Sequence, residues 1–144
     1  MQVLDHERLD VCRVARELSR ELHRITRNVW PRHDRGDILS QVYRCTASIP
    51  LNIAEGSGET STGRKAYFYR ISRGSATELS AALDHMVDMG MLGEDATVAA
   101  KALIVRVVSM LFQLTRSVTS PDPFPPLPKR TQNRWRHSRK PKME

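Results

Sequence analysis

The chain has 144 residues, of which 40% are hydrophobic and 27% charged, and its formal net charge is +7. This length supports one domain with a single hydrophobic core, and only two cysteines argue against a disulfide-rich scaffold. The first residues lack a leader pattern, and the longest apolar run, Ala102 to Phe112, contains Arg106 and is too short to span a bilayer. We therefore expect a cytoplasmic protein that does not cross a membrane, with both cysteines as small buried side chains.

The first predicted helix runs from Asp5 to Val29. Its apolar residues alternate at spacings of four and three, which is typical of a helix-bundle seam. The seam consists of Val11, Ala15, Leu18, Leu22, Ile25 and Val29. Another face of the same helix carries five arginines that are candidates for contacting nucleic-acid phosphates: Arg13, Arg16, Arg20, Arg24 and Arg27. Because Glu17 and Glu21 neutralise part of this row, a merely solvated face is the alternative interpretation.

The second predicted helix begins near Asp37 and contains Ser48-Ile49-Pro50-Leu51-Asn52-Ile53-Ala54-Glu55-Gly56. Pro50 lies where a helix interior should reject proline, so a bend is expected there. Ser48, Asn52 and Glu55 form a polar row at i, i+4 and i+7 of this helix. Because Glu55 lies near the helix C-terminus, which disfavours anions, we expect it to have a cation or a hydrogen-bond donor as partner. We interpret the stretch as a motif that packs and orients helices, with a ligand site as the alternative. Its predicted members are Ser48, Pro50, Asn52, Glu55, Gly56 and Glu78, and the pairing of the second and third helices is expected to bring Glu55 near Glu78.

Two further helices follow. Ser61 or Thr62 is expected to cap the third, and Gly90 fits the position that ends it. Three small residues, Gly74 to Ala76, predict a close approach of a neighbouring helix. The expected apolar seam of this helix is Phe68, Ile71, Ser75, Leu79, Ala82, Met86 and Met89. The fourth helix, Glu94 to Val118, is apolar almost all round, which predicts burial against another subunit and hence a homo-oligomer.

The composition changes after Val118, where prolines and then basic residues replace the apolar periodicity. The sequence thus predicts an all-α fold: an up-down antiparallel four-helix bundle over residues 1–120 and a disordered Pro-rich basic tail over residues 121–144. Cationic side chains around an indole suit binding to RNA, although a solubilising tail or a Pro-rich ligand for an SH3-type domain would show similar composition. The candidate RNA-binding residues of the tail are Lys129, Arg130, Arg134, Trp135, Arg136, Arg139 and Lys140.

Each candidate catalytic or metal-binding motif in the sequence lacks a residue or a structural setting that its chemistry needs. The stretch Gly58 to Lys65 is spaced like a P-loop but has Arg64-Lys65 where Lys-Ser/Thr is needed, and it follows a helix. Weak anion binding at the start of the third helix remains an alternative for this loop. No Glu-x-x-His pair suggests a di-iron centre, the five histidines lack ligand spacing, and Ser57 lacks the setting of a nucleophile elbow. We therefore predict no catalytic residue, cofactor or metal.

The stretch Ser48 to Gly56, with Gln41 and Arg44 before it and Gly74-Ser75-Ala76-Thr77-Glu78-Leu79 after it, resembles the 23S rRNA intervening-sequence protein family. The resemblance covers roughly Leu4 to Leu114. It implies a bacterial four-helix bundle that assembles as a pentamer, and it implies no catalytic residues. Related bundles serve as accessory proteins of diversity-generating retroelements, where they bind a reverse transcriptase and its template RNA. The residues Glu59-Thr60-Ser61, where the family is commonly more basic, leave open which branch this chain joins.

Charge distribution and resemblance together predict a non-enzymatic oligomer that binds RNA or a ribonucleoprotein through its helix 1 arginines and its tail. Several weak sites on one assembly would add avidity to charge neutralisation. The alternative function is a structural adaptor for a partner enzyme, such as the reverse transcriptase of a retroelement. A small-molecule enzyme is the least favoured interpretation because no acid, base or nucleophile set is present.

Overall fold

The computed structural model describes residues 3–29 and 36–119 and consists, over those residues, of helices joined by turns. A short 3-10 helix, Asp5–Arg8, precedes four α-helices. These are α1 (Asp10–Thr26), α2 (Gly36–Gly58), α3 (Thr62–Asp88) and α4 (Glu94–Val118). The tail predicted to be disordered lies outside the described residues.

The four helices form the predicted up-down antiparallel bundle. Each helix packs against the next in the chain, and α4 packs back against α1. The pairs α1/α3 and α2/α4 therefore lie diagonally across the core, and each helix keeps one face directed away from it. All six predicted seam residues of the first helix are buried, which confirms its heptad-like interpretation. The last of them, Val29, lies in the turn after α1, because the helix ends at Thr26 and not at Val29 as predicted.

The predicted first helix is divided at Leu9, which is extended (φ −81°, ψ 126°) and separates the 3-10 turn from α1. The Glu7 carboxylate accepts a hydrogen bond from the Leu4 backbone N–H at 2.8 Å, so the short turn has its own N-terminal cap. Asp10 then lies in the first turn of α1, where its charge favours a new helix start. The cap and the acidic start explain why one periodic pattern yields two helical segments.

The other predicted helix ends agree closely with the structure. Ser61 caps α3 by accepting the Arg64 backbone N–H, and Gly90 ends the turn after α3 with a φ of +68°. The predicted bounds of α4 are confirmed. α2 begins one residue before Asp37, continues through Pro50 and reaches Gly58, so the break before α3 is shorter than expected.

The buried face of α3 differs from the predicted seam in its first half. Tyr69 and Ser72 are buried, whereas Phe68 and Ile71 are only half-buried. Farther along, Leu79, Ala82 and Met86 are buried as predicted, while Ser75 is half-buried and Met89 is exposed. In each mispredicted pair the more polar neighbour faces α2: the Tyr69 ring packs where Gly56 has no side chain, and the Ser72 hydroxyl donates to the Ile49 carbonyl.

Candidate functional site: helix-pairing motif and basic surfaces

The polar residues of the Ser48–Gly56 motif form a hydrogen-bonded connection between α2 and α3. The Ser48 and Ser75 hydroxyl oxygens lie 2.8 Å apart. The Asn52 side-chain amide donates to the Ser48 carbonyl at 2.8 Å and to the Ser48 hydroxyl at 3.0 Å. All three residues are half-buried, so these bonds are partly protected from water. The network fixes the register of the two helices, as the packing interpretation of the motif predicts.

A second inter-helix bond lies beside Pro50. The Ser72 hydroxyl, which is fully buried, donates to the Ile49 carbonyl at 2.9 Å. Proline has no backbone N–H, so Thr46 loses the donor that would normally bond its carbonyl within the helix. The hydroxyl group of Thr46 donates one helical turn back, to the Val42 carbonyl at 2.6 Å. Hydroxyl groups from both helices thus surround the turn that the proline interrupts, and no buried side-chain polar atom of the described residues lacks a partner.

Gly56 lies at a close approach between α2 and α3. A Cβ atom at this position would lie 2.7 Å from Cε1 and 2.9 Å from Cδ1 of Tyr69, and 3.2 Å from Cβ of Phe68. The Tyr69 ring is buried, and burial raises the pKa of its hydroxyl group. Gly74, in contrast, is exposed, and a Cβ atom there would meet nothing within 4 Å, so the expected close approach lies at Gly56 instead. Ser75 and Ala76 do face the core or the α2 interface, as predicted.

The two acidic members of the predicted motif are not neighbours. Glu78 accepts a hydrogen bond from Gln41 and lies 3.8 Å from Arg44, at the first half of α2. Glu55 is exposed and lies roughly four turns, or about 21 Å, farther along α2 than Gln41. The expectation that Glu55 approaches Glu78 is therefore wrong, because the antiparallel register places them toward opposite ends of the helix pair. Glu55 instead adds to the electrostatic surroundings of Arg64.

The P-loop-like stretch is occupied by contacts within the chain. The Lys65 ammonium donates to the Ser57 carbonyl at 2.9 Å and to the Gly56 carbonyl at 3.4 Å, where it caps the end of α2. Arg64 pairs with Glu59 at 2.9 Å, and this hydrogen bond lowers the pKa of the Glu59 carboxyl group. Because both cations already have partners, the stretch completes a helix junction and offers little free charge to an anion.

The five α1 arginines share one exposed side of the bundle, as predicted. Arg13 pairs with Asp10 at 2.9 Å, and Arg24 forms two hydrogen bonds with Glu21. Those bonds lower the pKa of the Glu21 carboxyl group. The other three form no ion pair within the described residues and remain available to an external anion: Arg16, Arg20 and Arg27.

A basic and aromatic cluster between α3 and α4 was not predicted from the sequence. The Cζ atoms of Arg73 and Arg116 lie 5.8 Å and 5.9 Å from the centre of the Phe112 ring. The ring is 36% exposed and borders a groove of about 390 Å³. Phe112 and Arg116 are one turn apart on α4, whereas Arg73 comes from α3, so no local motif reveals the cluster of three. The available signal was the absence of Asp and Glu from 62–77 and from 96–118.

Two outward faces of the bundle carry exposed apolar side chains. On α4, Val98 is 62% exposed and Val105 is 64% exposed, with the exposed Ala102 between them. On α2, Leu51 is 66% exposed and Tyr43 is 40% exposed. Because α2 and α4 lie diagonally, these faces point in opposite directions. We name them the α4 face (Val98, Ala102 and Val105) and the α2 face (Tyr43, Ala47 and Leu51).

Among the described residues, α4 is the one helix long and apolar enough to cross a membrane by length and composition alone. This criterion is weak for a single helix, since core helices of soluble proteins also meet it. Only 33% of its most apolar window is buried within the chain. The sequence analysis predicts that another subunit covers the remaining apolar surface.

Within the described residues, no three His, Cys, Asp or Glu side chains gather in a way that could hold a metal ion. The two cysteines are buried, and burial raises the pKa of both thiol groups: Cys12 and Cys45. The candidate RNA-binding residues of the tail, from Lys129 to Lys140, lie outside the described residues.

These observations define an all-α four-helix bundle protein whose second and third helices are joined by a half-buried polar motif. Residues 7–113 match the family model described as 23S rRNA-intervening sequence protein, and the chain belongs to that family. The resemblance inferred from Ser48 to Gly56 is thereby confirmed. No curated protein matches this chain.

Proposed function

We propose that the protein is a non-enzymatic, self-assembling, cytoplasmic RNA-binding protein. The observation that carries the proposal is the exposed α1 arginine row, in which Arg16, Arg20 and Arg27 have no carboxylate partner within the described residues. Exposed guanidinium groups at helical spacing suit the phosphates of a nucleic acid, which they bind in competition with salt. The basic tail adds cationic residues beyond the described part of the chain.

Self-assembly is supported by the two opposed apolar faces. A contact between the α4 face of one copy and the α2 face of the next joins two different surfaces, so it repeats from subunit to subunit. Such a heterologous contact gives a closed ring when its rotation closes. It also covers the α4 surface that the single chain leaves exposed. The family resemblance implies five subunits for this ring.

The proposed assembly has a direct test in two charged substitutions. Leu51→Glu alters only the α2 face and Val105→Glu only the α4 face, so each variant alone should be monomeric by light scattering at micromolar concentration. A mixture of the two variants retains one intact pair of faces and should form a discrete 1:1 dimer. Tyr67→Glu is the matched control, because Tyr67 is 58% exposed on α3, outside both faces.

Other outcomes would refute this arrangement. If Leu51→Glu still dimerises while Val105→Glu does not, the α4 faces pair with each other and the contact is isologous. A wild-type monomer would refute self-assembly altogether. Solubility of the wild type only in detergent would instead assign the α4 face to a membrane.

RNA binding is tested by filter binding of structured RNA at several salt concentrations. We expect affinity at low salt that falls as salt rises, since each phosphate contact releases counterions. Arg16→Gln with Arg20→Gln should weaken binding, whereas Arg13→Gln, which removes an arginine already paired with Asp10, should have a smaller effect. Absence of affinity at low salt, or affinity that does not change with salt, would refute the proposal.

Deleting residues 121–144 locates the binding surface. If binding is unchanged, it resides on the bundle, whereas complete loss assigns it to the tail. Assembly without any RNA affinity would favour the alternative function, an adaptor for a partner enzyme such as a reverse transcriptase.

A further inference from the structure

The groove between α3 and α4 combines an exposed aromatic ring with two guanidinium groups. The Cζ atoms of Arg73 and Arg116 lie 5.8 Å and 5.9 Å from the centre of the Phe112 ring. Neither arginine forms an ion pair with a carboxylate within the described residues. The groove beside the ring is lined by Arg73, Thr77, Val108, Ser109, Phe112 and Gln113.

The charge around this groove has one sign. From Thr62 to Thr77, α3 has four cationic side chains and no carboxylate, and from Ala96 to Val118, α4 has three cationic side chains and no carboxylate. The acidic residues of this helix pair all lie in the interval from Glu78 to Asp95. Arg73 and Arg116 therefore lie at the basic end of the α3/α4 pair, where they attract an anion without a competing carboxylate on either helix.

We propose that this groove binds an unpaired nucleotide of single-stranded RNA, with its base stacked on Phe112 and its phosphates contacted by Arg73 and Arg116. Every base has an aromatic face, so stacking on a phenyl ring does not require a particular sequence. Ser109 and Gln113 form no side-chain hydrogen bond within the described residues, and they can bond the edge of a base in the groove. A base within a duplex cannot reach the ring, so the site distinguishes unpaired from paired RNA.

This inference rests on the proposed RNA-binding function but uses a different surface, since the arginine row lies on α1. The phosphate contacts of α1 bind any RNA through charge, whereas stacking in the groove adds a preference for unpaired bases. Substitutions in the α1 arginine row should therefore weaken binding of all RNA, whereas substitution of Phe112 should weaken binding of unpaired RNA only.

The experiment measures binding of fluorescein-labelled ten-residue oligouridine and of an RNA duplex of equal length by fluorescence anisotropy. Phe112→Leu keeps an apolar side chain but removes the ring. We expect it to weaken oligouridine binding by about fivefold or more, as loss of one base–aromatic stack does, and to leave duplex binding unchanged. Arg73→Gln with Arg116→Gln should weaken oligouridine binding and reduce the slope of log affinity against log salt by about 1.4. Arg70→Gln is the matched control: it removes an exposed α3 arginine that makes no contact with the Phe112 ring.

Thermal melting and light scattering of each variant establish that the fold and assembly are retained. Oligouridine affinity of Phe112→Leu equal to that of the wild type overturns the inference. If Arg16→Gln with Arg20→Gln weakens binding while Phe112→Leu does not, the α1 proposal stands and the groove proposal fails. If the wild type binds neither RNA, both fail. If Phe112→Leu changes the oligomeric mass without changing RNA affinity, Phe112 belongs to a subunit contact and the inference is overturned.

Discussion

Gly56→Ala and Gly74→Ala are the same substitution in two helices, and the structure predicts opposite effects on stability. At Gly56 the added methyl group would lie 2.7 Å from Cε1 of the Tyr69 ring, closer than carbon atoms approach without repulsion. Tyr69 is only 2% exposed, so its ring has little room to move aside. At Gly74 the new methyl group meets nothing within 4 Å.

Two opposing contributions, helix propensity and overpacking, determine how much each substitution changes the free energy of unfolding. Alanine favours a helix over glycine by about 0.5–1 kcal/mol, and overpacking a buried contact costs about 1–3 kcal/mol. At Gly56, near the end of α2, overpacking exceeds the propensity gain and should lower the free energy of unfolding by about 1–2 kcal/mol. At Gly74, in the interior of α3, only the propensity term remains and should raise it by about 0.5–1 kcal/mol. For a chain of this size, these changes correspond to a melting temperature lower by about 3–8 °C and higher by about 2–4 °C.

Thermal and urea unfolding followed by far-UV circular dichroism measure both variants. A double-mutant cycle with Tyr69→Leu assigns the cause, because removing the ring should relieve the strain of Gly56→Ala and make the combined cost smaller than the sum. A Gly56→Ala variant as stable as the wild type would refute the close-packing argument. So would strict additivity with Tyr69→Leu, which would show that the methyl group does not meet the ring.

Three further predictions concern single groups. Ser72→Ala leaves the Ile49 carbonyl without its inter-helix donor and should lower the free energy of unfolding by about 1 kcal/mol in urea titration; an unchanged midpoint would contradict this. Lys65→Met removes the ammonium group that bonds the last carbonyls of α2 and should cost about 0.3–1 kcal/mol at low salt, and a cost that grows with added salt would contradict the electrostatic cause. Burial raises the pKa of the Cys12 and Cys45 thiols, so the reactive thiolate should be scarcer in the folded than in the unfolded protein at about pH 8. A thiol-reactive dye should therefore react slowly until urea unfolds the chain, and equal rates with and without urea would refute the buried positions.

For α3, local signals in the sequence predicted the ends of the helix better than the face it buries. Ser61 caps α3 and Gly90 ends the turn after it, as expected, because capping and left-handed turns depend on a few adjacent residues. The buried side of α3 depends on what α2 presents to it. Phe68 and Tyr69 are adjacent and both aromatic, so periodicity alone does not select between them. The space left by Gly56 admits the Tyr69 ring, and this information lies in another helix.

The candidate functional sites were likewise predictable only where all their residues lie on one helix. The α1 arginine row was predictable because its members recur along one helix, and the structure does expose them together. The expected proximity of Glu55 and Glu78 required the register of α2 against α3, which no single-helix pattern contains. The cluster of Arg73, Phe112 and Arg116 required the pairing of α3 with α4. Sequence separation therefore explains both the wrong expectation and the missed site.

The Ser48–Gly56 motif violates helical preference with Pro50, and the structure shows how one short stretch can serve two surfaces. Ser48 bonds Ser75 of α3 and is itself bonded by Asn52 within α2, while Gly56 allows the two helices to approach. Leu51 points outward and is 66% exposed, so helix pairing within the chain does not account for it. The residues around Leu51 pack against α3, whereas Leu51 itself faces away from the bundle. A contact with a second molecule best explains an apolar residue at this position. In the proposed assembly, Leu51 contacts the α4 face of a neighbouring copy. Because Ser48 and Gly56 set the orientation of α2 against α3, they also set the direction in which Leu51 points, and assembly then depends on them.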